Sequence, residues 1–289
     1  METAEIASMA YTHNTAPTRF VEAGGVRFAY RRFGTQTGVP ILFFQHFMGN
    51  LDDFDPAITD PLARTREVVL FNQAGVASST GEAATTIEAM AADAGRFVDA
   101  LGLETVDLLA HSMGGFVAQQ VALERPDLVR RVVLVGTGPR GAEGVGALPP
   151  EVEELFTKKY PRQEDMWLPI MFAPSPSSQG AGRAFVDRIT EREDRDPPVT
   201  DLAVQAESAA VSSWGAQKDE SFRYLQEIHQ PTLVVNGSND IIIATHYSYT
   251  LQQSLPNAYL ILYPDSNHGS HYQYHDLFIE HTLLFLNRV

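Results

Sequence analysis

The 289-residue sequence contains no cysteine, which excludes a disulfide framework, a thiolate metal site and a cysteine nucleophile. It also lacks any run of about 18 apolar residues, the length that a membrane-spanning helix needs. Near the N-terminus, Glu2 and Glu5 stand where a secretory signal carries basic residues, and no apolar stretch follows them. These absences predict a cytoplasmic protein that has no membrane partner.

Basic residues are scarce in the chain. Lys and Arg number 21 against 36 Asp and Glu, which gives a formal net charge of −15. This sign repels nucleic-acid backbones and anionic lipid surfaces, and no compact Lys/Arg cluster supplies a local exception. We therefore expect no nucleic-acid partner and a neutral small molecule as the substrate. The sequence carries no indication of an oligomeric state.

What remains is the composition of a globular protein, with 44% hydrophobic and 20% charged residues. Several short runs are apolar at every position, such as Ile41 to Phe44 and Val68 to Phe71. Runs of this kind are typical of parallel strands that are buried on both faces. The predicted strands are 26–33, 41–44, 68–71, one beginning at 106, 131–135, 232–235 and 259–263.

Between these strands the apolar residues recur at helical spacing. From Ile87 to Leu101 they stand three and four positions apart, and the segment stops at Gly102. A second helix is predicted from about Gly114 to Glu124, before Pro126. Alternating strands and helices predict an α/β fold with a doubly wound, mostly parallel sheet.

The alternation is interrupted between about 138 and 229. This stretch contains a Pro-Ser-Pro-Ser-Ser run at 174–178 and a charge cluster at 191–196. It is too long for a plain loop, so we predict a mainly helical insertion between two strands. The expected organisation is a flexible leader (1–19), a core domain (20–137 and 230–289) and this insertion (138–229).

Ser112 lies in the segment Ala110-His111-Ser112-Met113-Gly114-Gly115, between a predicted strand and a helix. A serine on a sharp strand-to-helix turn projects its oxygen, and small neighbours let the strand and the helix approach each other closely. The context therefore indicates a nucleophile. The competing interpretation is a plain helix N-cap.

A serine nucleophile needs a base, and the base needs an acid that orients it. Asp240 follows the strand at 232–235, and His268 follows the last strand. Both residues are therefore expected at the carboxyl edge of the sheet, where folds of this class place their sites. The order Ser, Asp, His along the chain is the one expected of this arrangement.

Four motifs in this order resemble the α/β-hydrolase superfamily: QHFMGN after an early strand, AHSMGG at the turn, GSND and SNHG. The resemblance covers about residues 20–289, and the insertion corresponds to the cap domain of that family in position. It implies that Ser112 is the nucleophile, His268 the general base and Asp240 the orienting acid. It implies neither a cofactor nor a metal.

The resemblance also implies an oxyanion hole formed by two backbone amides. One belongs to Met113, and Phe47 best matches the other. Two segments depart from the family pattern. Gln45-His46 replaces the usual His-Gly, and Asn72-Gln73-Ala74-Gly75 replaces the usual Asp-x-Arg-Gly.

Other residues compete for these roles. His271 and His275 are one helical turn apart, but no H-E-x-x-H pattern accompanies them, so a metal site is not expected. They and His246 are interpreted as polar loop or surface histidines. Asp265 is a rival to Asp240, but it is too close in sequence to His268 to reach its ring easily.

The insertion is expected to supply most of the substrate pocket. His46 and His111 are expected to line the site without accepting the catalytic proton. The predicted pocket residues are His46, His111, Met166, Trp167, Phe172, Phe185 and Trp214.

A serine at the turn also limits the kinds of reaction that the protein could catalyse. Haloalkane dehalogenases and epoxide hydrolases of this superfamily carry an aspartate there, whereas this chain carries Ser112. The resemblance therefore implies hydrolysis of a small carboxylic ester. Opening of a lactone or cleavage of a carbon–carbon bond beside a carbonyl is the alternative, and a member that binds a ligand without turnover is another.

Overall fold

The structure is a computed structural model that describes residues 11–218 and 221–288. Within these residues, eight strands form one sheet in the order β1-β2-β4-β3-β5-β6-β7-β8. The strands are β1 (Arg19–Ala23), β2 (Val26–Gly34), β3 (Ile41–Phe44), β4 (Glu67–Phe71), β5 (Val106–His111), β6 (Val129–Val135), β7 (Thr232–Gly237) and β8 (Ala258–Tyr263). The pairs β1–β2 and β2–β4 are antiparallel, and all the other pairs are parallel.

Ten α-helices accompany the sheet in the same part of the chain. They are α1 (Pro56–Ala63), α2 (Ile87–Ala100), α3 (Met113–Glu124), α4 (Pro150–Thr157), α5 (Trp167–Met171), α6 (Pro176–Ile189), α7 (Asp201–Ala216), α8 (His246–Ser254), α9 (Ser270–Gln273) and α10 (His275–Leu286). None of these helices has the length and apolar character that crossing a membrane requires.

Helices cover both faces of the sheet, and strand β3 illustrates this. Leu42 and Phe44 pack in a cluster with apolar residues of α2 and α3, whereas Ile41 and Phe43 pack in a second cluster with residues of α1 and α10. Successive side chains of a strand point to opposite faces, so a strand buried on both sides is apolar at every position. The predicted doubly wound, mostly parallel sheet is thus confirmed.

The segment between β6 and β7 is helical wherever its described residues have regular structure. It contains α4 to α7 and two short 3-10 helices, Gln163–Met166 and Arg223–Glu227. We call residues 138–229 the insertion. No described residue of the insertion belongs to the sheet.

Polar contacts join the insertion to loops of the core. The Arg188 guanidinium donates to both oxygens of the buried Asp55 carboxylate, at 2.8 and 2.6 Å. The Asp196 carboxylate accepts from the Asn72 amide and from the Ser78 hydroxyl. The departure from the family pattern at Asn72 therefore creates a contact between the core and the insertion.

Residues 1–10 of the predicted leader lie outside the described residues, and residues 11–18 are packed rather than loose. His13 is buried, and its backbone N–H donates to Asp60 Oδ1 at 2.6 Å. The guanidinium of Arg192, in the insertion, donates to the carbonyl oxygens of His13, Asn14 and Ala16. A long-range partner of this kind leaves no periodic pattern in the segment itself, which explains why the sequence suggested a flexible leader.

Candidate active site

Ser112 forms the whole connection between a strand and a helix, because β5 ends at His111 and α3 begins at Met113. Its backbone has φ 55° and ψ −122°, a region that residues other than glycine rarely adopt. Its side chain makes no capping hydrogen bond to α3. The plain N-cap interpretation is therefore not supported, because an N-cap residue normally has extended backbone and accepts from the first turn.

The sharp turn at Ser112 depends on two glycines. A Cβ at Gly114 would lie 2.5 Å from the carbonyl oxygen of Phe44, at the end of β3. A Cβ at Gly115 would lie 2.5 Å from Oγ1 of Thr137, whose hydroxyl donates to the Ser112 carbonyl at 2.9 Å. The two glycines therefore allow α3 to start directly against the neighbouring strand ends.

His268 and Asp240 meet at the same edge of the sheet. Nδ1 of the His268 ring lies 2.9 Å from Oδ2 of Asp240. The other oxygen, Oδ1, accepts from the backbone N–H groups of Ile242 and Ile243 at 2.8 and 3.0 Å. A carboxylate can only accept, so Nδ1 carries the proton and Nε2 of His268 is left as the acceptor.

Asp265, the predicted rival acid, lies outside this arrangement. It is exposed, and its Oδ2 accepts from the hydroxyls of Ser175 and Ser177, each at 2.7 Å. It lies only three positions before His268 in the sequence, and its backbone is left-handed with φ 46°. The structure therefore brings Asp240, and not Asp265, to the histidine.

Three further histidine rings lie near His268, and burial lowers the pKa of each. The pKa of His46 falls to about 4, and those of His111 and His271 fall well below the ordinary value. The His111 ring lies 4.8 Å from the His268 ring and 4.4 Å from the His271 ring. These rings are neutral near pH 7, so they pack together without charge repulsion.

The remaining predicted rivals are dispersed. His246 is exposed at the start of α8, and His275 faces Asp276 at 3.0 Å. His271 is buried, which corrects its interpretation as a loop or surface residue. Across residues 11–218 and 221–288, no group of three or more His, Asp or Glu side chains is arranged to hold a metal ion.

Two backbone amides are available beside Ser112. Met113 is the first residue of α3, so its N–H is not used by the hydrogen bonds of the helix. The Phe47 N–H has no hydrogen-bond partner among the described residues. Both residues line the cavity that contains Ser112 and His268.

The loop that carries Phe47 is held by its own unusual residues. Oε1 of Gln45 accepts from the His46 N–H at 2.8 Å, and the Gln45 amide donates to the Asn50 carbonyl at 3.2 Å. Nδ1 of His46 lies 2.9 Å from the Phe47 carbonyl oxygen and donates to it. The side chains of Gln45 and His46, which depart from the family pattern, thus stabilise the loop by hydrogen bonds to its own backbone.

The cavity at Ser112 has a volume of about 340 Å³. More than half of the residues in its wall belong to the insertion, and most of those are apolar. The apolar residues from the insertion are Leu148, Phe156, Trp167, Ile170, Met171 and Val211. Among the described residues, no Lys or Arg contributes to the wall, and Glu153 is the only carboxylate that does.

Of the seven predicted pocket residues, only His46 and Trp167 belong to this wall, and their rings lie 4.6 Å apart. The prediction is wrong for the other five, which pack in the interior. Trp214 stacks on Phe116 at 5.6 Å, and Phe185 stacks on Tyr272 at 4.2 Å. The others that lie away from the wall are His111, Met166 and Phe172.

Sequence reasoning also missed residues that do form the wall. Ile242 and Ile243, two and three positions after Asp240, line the cavity. Their position was a usable signal, because residues that follow a catalytic strand end lie at the same edge of the sheet. Glu207, a buried acid of α7, gave a weaker signal as the one charge among small and apolar neighbours from Ala206 to Trp214.

Comparison with known proteins agrees with this architecture. A family model described as the alpha/beta hydrolase fold matches residues 39–273. The chain belongs to this family. A solved structure, the alpha/beta hydrolase fold protein from Chitinophaga pinensis, is 38% identical, covers 96% of this chain and 100% of that one, and superposes with a TM-score of 0.91.

Curated relatives are more distant. The dihydrolipoyllysine-residue acetyltransferase component of an acetoin cleaving system from Cupriavidus necator is 29% identical over 88% of this chain. The 2-hydroxy-6-oxo-6-phenylhexa-2,4-dienoate hydrolase of Burkholderia cepacia is 29% identical over 65% of this chain. In both cases the match spans 65% of the relative's own length.

Proposed function

We propose that this hydrolase-family member cleaves a small, neutral carboxylic ester through a covalent acyl intermediate on Ser112. The observation that carries the proposal is the 2.9 Å contact between His268 Nδ1 and Asp240, with His268 and the strained Ser112 in one cavity. Holding Ser112 in this backbone conformation costs free energy. A protein that only bound its ligand would gain nothing from a serine held in this way.

The proposed chemistry starts at Ser112 Oγ. It attacks the ester carbonyl carbon while Nε2 of His268 accepts the hydroxyl proton, and Asp240 holds the imidazolium that forms. The N–H groups of Met113 and Phe47 donate to the oxygen on which negative charge develops. Collapse of this intermediate breaks the bond to the alcohol oxygen, and His268 returns the proton to the leaving alcohol.

A water molecule then completes the cycle. His268 accepts one of its protons as the water oxygen attacks the acyl carbon, which is still bonded to Ser112. Cleavage of that bond releases the carboxylic acid, and the proton returns to Ser112 Oγ. The net reaction is ester plus water to acid plus alcohol, so no cofactor is consumed.

The charge of the cavity wall favours a neutral substrate. The relative from Burkholderia cepacia is named for a dienoate, which is a carboxylate anion. A buried carboxylate needs a cation or several donors to replace its hydration. The described part of this wall contains Glu153 and neither Lys nor Arg, which supports an uncharged ester over such an anion. A lactone is also a neutral ester and remains within the proposal.

We also propose that the insertion acts as a cap that selects the substrate. Its apolar side chains form much of the wall, whereas Ser112, Asp240 and His268 all belong to the core. Differences between substrates in this cavity would therefore be decided by the insertion, and the chemical step by the core.

The test compares matched pairs of substrates. Each pair consists of an activated short-chain ester and the same ester with a terminal carboxylate on its acyl chain, measured beside a lactone and a dienoate with a cleavable carbon–carbon bond. We expect turnover of the neutral ester, a much lower kcat/KM for its anionic partner, and labelling of Ser112 by a fluorophosphonate. Cleavage of the dienoate without turnover of any ester or lactone would refute the proposal.

A further inference from the structure

Glu207 is a carboxylate that the proposed chemistry leaves unused. It lies in α7 of the insertion with only 2% of its surface exposed, beside the small residues Ala206, Ser208 and Ala209. Its Oε2 accepts from the backbone N–H of Met48 at 2.9 Å. No Lys, Arg or His forms an ion pair with it among the described residues. A side chain of the insertion thus reaches the residue that follows Phe47.

The contact with Glu207 fixes the N–H end of the Phe47–Met48 peptide, and a second hydrogen bond fixes the carbonyl end. The Met48 N–H and the Phe47 carbonyl belong to the same planar peptide. Glu207 accepts from the N–H, and the His46 ring donates to the carbonyl oxygen at 2.9 Å. Met48 itself has φ 65°, a left-handed conformation that a residue other than glycine keeps only when its surroundings fix it.

The preceding peptide carries the Phe47 N–H. Its carbonyl, that of His46, accepts from the Gly49 N–H at 3.1 Å. Every polar backbone group from the His46 carbonyl to the Met48 N–H thus has a partner except the Phe47 N–H, which faces no acceptor of the described chain. The turn is organised so that this one donor remains free beside Ser112.

We propose that Glu207 is a positioning residue that orients the Phe47 N–H toward the oxyanion through the Phe47–Met48 peptide. This inference rests on the proposed oxyanion hole. It makes the insertion a participant in the geometry of the chemical step as well as in substrate selection. Glu207 touches neither the nucleophile nor the base, so its effect passes through the loop.

The surroundings of Glu207 support a role beyond packing. It borders a small chamber beneath the loop, together with Gln45, His46, Met113 and Gly114. Burial raises the pKa of its carboxyl to about 7, and the hydrogen bond from Met48 opposes the rise. An apolar side chain of similar size would occupy the same space without this desolvation cost. What such a side chain would lack is the acceptor for the Met48 N–H.

The test uses three substitutions of Glu207 and one control substitution in the same helix, α7. Glu207→Leu and Glu207→Met keep the volume but remove the acceptor, and the flexible Met serves if the Leu variant folds poorly. Glu207→Gln keeps an amide oxygen that can accept from the Met48 N–H. Gln205→Leu, at an exposed position of the same helix, is the matched control for a changed helix surface. Circular dichroism and unfolding midpoints establish that each variant is folded.

The readouts are kcat and KM on a neutral ester and the rate of Ser112 labelling by a fluorophosphonate. Labelling also develops negative charge on an oxygen in the proposed hole, and it requires no natural substrate. We expect the Leu and Met variants to lose about 10- to 100-fold in kcat and in labelling rate, less than the loss typical for complete removal of an oxyanion donor. KM should stay within about threefold, because ground-state binding is untouched. Glu207→Gln and Gln205→Leu should behave like the parent.

Three results would overturn the inference: normal labelling in folded Leu and Met variants, an equal loss in the Gln variant, or a change confined to KM. The first means that the loop needs no support from Glu207. The second means that the acceptor oxygen is not what matters, and the third indicates a role in binding. A parent protein that is labelled at Ser112 but hydrolyses no ester would refute the ester proposal while the labelling comparison still tests Glu207.

Discussion

The sheet and the insertion are held in place by different interactions. Strand β3 is apolar at every position and β4 at every position except Glu67, and both are packed on both faces. The insertion also packs aromatic side chains against the core, as Trp167 does on His46, and it adds directed polar contacts to the loops around the site. These polar contacts are made through Arg188, Asp196 and Glu207. Apolar packing tolerates little change in volume, whereas directed polar contacts fix particular loops in particular orientations.

The core and the insertion also contribute different parts of the site. The core places Ser112, Asp240 and His268 at or near strand ends, whereas the insertion contributes much of the cavity wall and contacts the loop that carries Phe47. Changes in the two regions should therefore have different signatures in activity and in stability.

The largest expected effect follows from changes to the core residues of the site. Ser112→Ala and His268→Ala should each abolish nearly all turnover, and the double variant should lose little more, because the groups act as a unit. Asp240→Asn should cost about 10⁴ in kcat, since the imidazole loses its orienting acceptor. Steady-state kinetics on a neutral ester measures these losses.

Asp265→Asn is the matched control for the acid, because Asp265 is an exposed aspartate at the end of the next strand. It should leave kcat unchanged. A severe loss in this variant with a nearly silent Asp240→Asn would mean that the acid has been misassigned.

Stability should distinguish the two kinds of contact. Arg188→Leu leaves the Asp55 carboxylate buried without its partner, a change that typically costs about 3–5 kcal/mol. A second substitution, Asp55→Asn, removes the stranded charge, so the double variant should recover much of the loss. Urea denaturation of the two single variants and the double variant measures this.

Leu108→Ala, in the middle of β5, provides the comparison from the core. Leu108 is fully buried, and its truncation should cost about 2–5 kcal/mol. No change of a partner's charge can restore that loss. An Arg188→Leu variant as stable as the parent would show that the ion pair does not hold the insertion.

A smaller effect is expected from pH. The pKa of Glu207 is raised from 4.5 to about 7 by burial, so the folded state binds its proton more tightly than the unfolded state. The contribution of this protonated carboxyl to the free energy of unfolding is fully present below pH 4.5, and it is lost as pH rises through about 7. Above that pH the charged carboxyl costs on the order of 3 kcal/mol.

Glu207→Gln should therefore be more stable than the parent at pH 8 and nearly equal to it at pH 4.5. Thermal unfolding at both values provides the measurement. The same difference at both pH values would mean that the gain does not come from the charge of Glu207.

The smallest expected effect is a change in substrate preference. Trp167→Ala removes a large side chain from the wall and enlarges the cavity. It should change relative kcat/KM values across an ester panel by about tenfold, with little effect on the smallest activated ester. Phe185→Ala is the control, because Phe185 packs on Phe172 and Tyr272, and none of these three residues lines the cavity. It should lower stability without reordering the panel. Equal losses on every substrate in Trp167→Ala would contradict a role in selection.

The sequence predicted the parts of the molecule that local pattern determines. Strand β3 was predicted with its observed bounds, and α2 within one residue, because burial on both faces and helical spacing leave direct signatures. Strand β1 was missed because its residues alternate between exposed and half-buried positions and it pairs only at the edge of the sheet.

The cavity wall was predicted poorly for a physical reason. A large aromatic residue gains most by full burial, so Trp214 and Phe185 lie in the interior, while the wall is shared by residues of several helices and loops. Which helix face meets the site depends on how the insertion docks onto the core. That arrangement depends on long-range contacts, such as the contact between Arg188 and Asp55, which have no signature in either segment alone.

The glycine at position 114 has a consequence for the width of the proposed oxyanion hole. One donor comes from the loop after β3 and the other from the start of α3, and the two segments touch where Gly114 has no side chain. Because Gly114 has no side chain, α3 packs directly against the backbone of this loop, and this close approach sets the distance between the two amides. Even an alanine here would push α3 away from Phe44 and Gln45 and widen the hole, although every residue that takes part in the reaction would still be present.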